Sequence, residues 1–223
     1  MPPFHLIDPA KLAVELGYTL IVVFLCFMIY FKTKEIYDLS KHEGINYFRI
    51  TFLFFALAYI FRFLHIFSIL VNITFDNDLL MEIFRSFPFS LVFNGYFSTL
   101  AILSMTYGII WKNLHIKHTL LLFNVIAIVI SGIAFISRSP FILILAQAVL
   151  LIFTVTMACY FYIKSRKFSQ LFILYVLFLL FWVVNLLTLG PQRLIPFEIQ
   201  TAFQVISIAV IGIIYYKVAK WTK

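Results

Sequence analysis

Long apolar runs separated by short charged or turn-forming stretches dominate this chain, and their lengths predict its elements before any motif does. Seven runs approach the roughly 20 residues that an α-helix needs to cross a hydrocarbon layer of about 30 Å. They lie at about 11–31, 47–71, 88–111, 118–136, 141–163, 168–189 and 194–216. The fourth is the shortest, and a tight Ser137-Arg138-Ser139-Pro140 turn joins it to the fifth, so these two should form an antiparallel hairpin. The expectation is an all-α polytopic membrane protein: one seven-helix transmembrane domain over residues 1–223, with no soluble domain. The Met-Pro-Pro-Phe-His start has neither a basic n-region nor a small-residue cleavage site, so the first span reads as a retained helix.

Composition agrees with the pattern. Apolar residues make up 64 % of the 223 positions and charged residues 12 %; an ordinary globular domain is about half apolar and about a quarter charged. A water-soluble fold of this size has too little interior to hide that surface, so the solvent is lipid. Seven spans of about 22 residues use roughly 155 positions. What is left suffices for connections and short tails.

The cations set the direction. Lys32, Lys34, Lys41 and Arg49 follow the first span, Lys112 and Lys117 the third, and Lys164, Arg166 and Lys167 the fifth; Lys217, Lys220 and Lys223 close the chain. The opposite connections hold Lys11, Arg85, Arg138 and Arg193 beside Asp8, Asp76, Asp78, Glu82 and Glu198. The positive-inside rule then places the N-terminus outside and the C-terminus in the cytoplasm, as an odd number of spans requires. The expected location is the plasma membrane. The net charge of +8 is spread along cytoplasmic loop edges, which suits contacts with the lipid bilayer and its anionic headgroups and gives no case for nucleic acid. Cys26 and Cys159 fall in apolar helix, so no extracellular disulfide framework is expected. Asn72-Ile73-Thr74 matches a glycosylation acceptor close to the end of the second span.

Polar side chains inside a bilayer are costly and therefore informative. Counting about 1.5 Å per residue from the nearer membrane face puts most of them in the outer half. Arg62 and His65 share a face of span two; Asn94 and Ser98 descend span three; Gln147 lies in span five. Trp182 and Asn185 occupy the outer part of span six, and Glu198, Gln200, Gln204 and Ser207 follow one another down span seven. An arginine this deep needs a partner or water. Glu198 is the expected partner, with Glu15 the alternative, at the floor of a cavity open to the outside. Arg62, His65, Asn94, Ser98, Gln147, Trp182, Asn185, Glu198 and Gln204 are the candidate ligand-binding residues, and Trp182 with Tyr96 is a candidate aromatic lining. The competing reading is that Asn, Gln, Ser and Thr join helices together with no ligand involved.

The markers of several specific chemistries are absent from the chain. A retinal Schiff base needs a lysine within the seventh helix; no span has an interior lysine, which excludes covalent retinal, and no other cofactor is expected. Met105-Thr106-Tyr107-Gly108 and Ile211-Gly212-Ile213-Ile214-Tyr215 stand where eukaryotic-type seven-helix receptors carry their markers, and match neither. Pro191-Gln192 lies in a connection, unlike the in-helix Pro-Gln of small sugar transporters, and no internal repeat is apparent. Paired haem histidines, a zinc-ligand cluster, Gly-x-Ser-x-Gly and His-Glu-x-x-His are all missing. No enzyme is therefore expected. The leading expectation is a sensor or receptor-like bundle for a small polar or anionic ligand, signalling through a membrane or cytoplasmic protein partner. A solute or ion transporter or channel is the first alternative, although Pro88, Pro140, Pro191 and Pro196 sit at span ends and break no helix at mid-membrane. A structural accessory subunit is the second.

Overall fold

The computed structural model describes residues 9–75, 89–111, 118–137, 140–165, 170–188 and 196–221. Among them every regular element is a helix: α1 Pro9–Ser40, α2 Glu43–Phe75, α3 Phe89–Ile110, α4 Thr119–Ser137, α5 Pro140–Ser165, α6 Gln170–Thr188 and α7 Phe197–Trp221. Five segments, Lys11–Ser40, Glu43–Val71, Thr119–Ser137, Phe141–Ile163 and Phe197–Trp221, are long and apolar enough to cross a membrane, and α6 contains a shorter apolar stretch, Phe172–Asn185. This is the architecture of a multi-pass membrane protein. Residues 138–139 of the α4–α5 turn, the basic positions at 112, 117, 166, 167 and 223, and the Asn72 side chain lie outside what is described.

The helices have the inside-out distribution that a lipid solvent selects. Large apolar side chains such as Phe24, Phe31, Leu121, Ile128 and Ile152 are exposed, while Thr19, Thr51, Thr99, Ser104, Gln147, Asn185 and Ser207 are buried. The buried stripes repeat at alternating steps of three and four. They comprise Thr19, Val22, Cys26, Ile29, Thr33 and Ile36 on α1, and Phe48, Phe52, Phe55, Tyr59 and Arg62 on α2. Leu174, Phe178, Phe181 and Asn185 form the stripe on α6, and Gln204, Ser207, Ile211, Ile214 and Val218 that on α7. A repeat of 3.5 residues keeps one stripe facing its partners when helices cross at about 20°.

Neighbours follow chain order, with α7 returning to α1 and α3 also reaching α5. The stretch Ser98–Gly108 of α3 is buried on every side, which makes α3 the interior helix. α4 buries only the stripe Thr119, Phe123, Ala127, Ser131 and Ala134. The expected pairing of the fourth and fifth helices is present, since α4 packs on α5. Between α2 and α6 the bundle is filled with aromatic rings that pair in parallel register: Phe48 with Tyr175 at 5.5 Å, Phe52 with Phe178 at 4.8 Å, and Phe55 with Trp182 at 4.8 Å.

Several helix ends depart from the expected boundaries. The first span was expected to stop near residue 31 and the second to start near 47, whereas α1 runs on to Ser40 and α2 begins at Glu43. The charged residues end the apolar run without ending the helix. Lys32 and Glu35 pair at 3.1 Å three residues apart on the extension, a spacing that supports helix in water. Lys41 then takes the left-handed conformation, φ 51°, and donates its N–H to the Tyr37 carbonyl at 2.7 Å, closing α1 where glycine is the usual residue. The result is a two-residue hairpin between α1 and α2. α7 likewise continues past residue 216 to Trp221.

Candidate functional site

The hairpin places α1 and α2 antiparallel, so residues near the start of α1 meet residues late in α2. At the N-terminal end of the bundle, Arg62 Nη2 donates to Glu15 Oε1 at 2.6 Å. Both side chains are largely enclosed, at 9 % and 16 % exposure. Arg62 also lies over the Tyr59 ring, 5.6 Å from its centroid. Glu198 is exposed in the first turn of α7, so the expected Arg62–Glu198 pair is corrected to Arg62–Glu15. The physical reason is register. α1 packs directly against α2, whereas the main neighbours of α7 are α1 and α6.

One turn deeper lies a closed polar knot that joins four helices. Tyr18 of α1 donates to Asn185 Oδ1 at 2.5 Å, and Tyr59 of α2 donates to the same oxygen. Asn185 Nδ2 donates to the Phe181 carbonyl at 2.7 Å and to Ser207 Oγ of α7 at 3.0 Å. Ser207 Oγ lies 3.0 Å from Tyr18 Oη. With the tyrosine protons directed at Asn185, the Ser207 hydroxyl donates to Tyr18 and every group in the ring is satisfied. Gln204 is buried one turn from Ser207 toward the N-terminal end, which places it at the register of the ion pair.

The remaining candidates separate from this centre. His65 is exposed and its Nδ1 lies 3.2 Å from Ser90 Oγ of α3. It was expected to share the face of Arg62; instead Arg62 turns to α1 and His65 to α3, because three residues leave about 60° between side chains around the helix axis. Gln147 donates to Ser98 Oγ at 2.5 Å, so these two buried groups tie α5 to α3, and Asn94 is half-buried one turn away. Trp182 packs on Phe55 and Phe178 beneath the knot, while Tyr96 stands against Phe97 and donates to Asn124 of α4. The candidate aromatic lining of Trp182 with Tyr96 is therefore divided between two places.

Tyr18, Tyr59 and Glu15 are the site residues that sequence reasoning missed or ranked second. Their signal was present as Glu15-x-x-Tyr18 and Tyr59-x-x-Arg62, two pairs at helical spacing that interlock when the helices run antiparallel.

Chemically, the arrangement offers a guanidinium with five N–H donors, of which one is committed to Glu15 among the described residues. It rests on a hydrogen-bonded base that contacts four helices. Among known proteins, the chain is 32 % identical to an uncharacterised protein of Archaeoglobus fulgidus, over 99 % of this chain and 95 % of that one. The two belong to one family. No protein-family model matches the chain, and no solved structure does.

Proposed function

We propose that this protein is a seven-span membrane protein of the plasma membrane, N-terminus outside and C-terminus in the cytoplasm, that binds a small polar or anionic ligand in its outer half and works as a sensor or receptor. The observation that carries this reading is the enclosed Arg62–Glu15 pair seated on the Tyr18–Tyr59–Asn185–Ser207 knot. A carboxylate or phosphate that competes with Glu15 for Arg62 gains a charge-assisted, fork-shaped contact. It would also alter the packing of α1 on α2, and through the knot the positions of α6 and α7. Binding, with no bond made or broken, is the role assigned to these groups.

The test is thermal unfolding of the detergent-purified protein with acetate, glutamate, sulfate and inorganic phosphate. At least one anion should raise the Tm of the wild type, and more so in Glu15→Gln, which keeps an acceptor but removes the competing charge. The doubly neutral Glu15→Gln/Arg62→Gln variant should respond less than the wild type, by the part that depends on Arg62. An equal response in that variant, or none in any protein, refutes the reading. Arg62-dependent flux of the same anion in proteoliposomes would replace the sensor with a transporter, and stoichiometric co-purification with other subunits would favour the accessory role.

A further inference from the structure

A second arginine of α2 is held in a different way at the hairpin end. Arg49 of α2 stands opposite the segment of α1 where apolar helix gives way to Lys32, Lys34 and Glu35, the level of a membrane's polar interface. Its guanidinium lies 5.4 Å from the ring centroid of Tyr30 and 5.2 Å from that of Tyr37, so it sits between two rings seven residues apart on α1. Lys41 Nζ lies 5.6 Å from the same Tyr37 ring. Two cations thus converge on one aromatic side chain.

The charge balance is incomplete. Among the described residues, Lys32 is paired with Glu35, Lys41 with Asp38 at an exposed 3.8 Å, and Arg62 with Glu15; Arg49 has no carboxylate. Its hydrogen bond there runs from Nη2 to Asn46 Oδ1 at 2.9 Å, and its Nε is enclosed without a partner. Arg49, fixed by rings and an amide, thus meets no carboxylate among the described residues and holds a preset orientation. Planar guanidinium groups bind phosphate oxygens in bidentate fashion, and tyrosines flank headgroups at membrane interfaces.

We propose that Arg49, flanked by Tyr30 and Tyr37, is a phosphate-binding site at the hairpin end, filled by the phosphodiester of an anionic lipid. In the orientation proposed above, this end faces the cytoplasm. The site depends on the chain lying in a membrane and is independent of any ligand at Arg62.

Native mass spectrometry of the full-length protein, released from detergent after incubation with phosphatidylglycerol or phosphatidylcholine, tests it. Wild type should retain phosphatidylglycerol over phosphatidylcholine. Arg49→Gln should bind phosphatidylglycerol about fivefold more weakly, the factor expected when one basic residue near an anionic surface is lost. Lys32→Gln, whose cation is already paired, should match wild type. If Arg49→Gln does not fold, Arg49→Lys serves: it keeps the charge but loses the planar fork, so weaker retention supports the site and unchanged retention overturns it. Equal retention of the two lipids by wild type, or of phosphatidylglycerol by wild type and Arg49→Gln, also overturns it. A Tm rise with inorganic phosphate alone, lost in Arg49→Gln, would uphold the phosphate site and assign it to soluble phosphate; a response only to phosphatidylglycerol would assign it to lipid.

Discussion

Arg62 and Arg49 lie on the same helix, thirteen residues and about 20 Å apart, yet the bundle treats them differently. Arg62 is enclosed, paired with a carboxylate, and stacked on a tyrosine that belongs to a four-helix network. Arg49 is half-buried and answered by aromatic faces and one amide. The contrast extends to the two ends of the bundle. Toward the N-terminal end, cohesion comes from polar groups that cross between helices. Toward the hairpin end it comes from close backbone approach and interlocked rings: a Cβ on Gly108 would meet Tyr175 Oη at 2.5 Å, one on Gly44 would meet the Gly108 carbonyl at 3.2 Å, and Tyr175 donates to the Gly44 carbonyl at 3.0 Å. A charge needs a partner where lipid surrounds it and can do without one at the interface, where water and headgroups are in reach.

The largest effect should come from unbalancing the enclosed pair. Arg62→Leu leaves Glu15 without its counter-ion and should destabilise the protein by about 3–5 kcal/mol, read by denaturation in detergent. Glu15→Leu/Arg62→Leu should recover most of that loss. A double variant as unstable as the single one would mean that the pair is not the coupled unit described.

Asn185→Leu comes next. It takes the common acceptor from Tyr18 and Tyr59 and the donor from Ser207. At about 0.6–1.7 kcal/mol for each of these three hydrogen bonds between membrane helices, the cost should be about 2–5 kcal/mol. An unchanged midpoint would show that the knot is not what joins the four helices.

Gly108→Ala probes the opposite end. The added methyl has no room beside Tyr175 Oη and Tyr47 Cβ, and overpacking of this kind costs about 1–3 kcal/mol. Gly132→Ala is its control: nothing lies within 4 Å of a Cβ there, so it should be neutral or slightly stabilising. If both glycines tolerate alanine equally, the hairpin end is not held by close approach.

The smallest loss should be that of Thr106→Val, which removes one bond between helices, to Thr154 Oγ1 at 2.6 Å between α3 and α5, together with a bond to the Ile102 carbonyl of its own helix at 2.8 Å. A loss of about 0.6 kcal/mol is expected. A loss as large as that of Asn185→Leu would erase the distinction between the two ends.

Much of the helical layout was legible in the chain, because an apolar run of about 20 residues has few alternatives to a membrane helix. The choice of Arg62, Asn185, Gln147 and Gln204 as enclosed polar residues was legible for the same reason: a polar residue within such a run is conspicuous. The true length of α1 was not, since hydropathy marks where an apolar run ends, whereas the helix continues through Lys32 to Ser40. The tyrosines escaped notice because they were counted with the apolar residues, while the hydroxyl becomes a hydrogen-bonding group once the ring is buried.

Composition and spacing by themselves determined the solvent, the helix class, most of the helix positions and the list of polar groups that must be accommodated. Which groups meet was decided only by the fold. Whether Arg62 finds Glu15 or Glu198, and whether His65 faces the pair or Ser90, depends on which helices are neighbours and on a register set by a two-residue turn at Lys41 and His42. Those quantities arise from packing between segments far apart in the chain. A one-dimensional pattern of polar and apolar residues records each helix's face, and not the face it will meet.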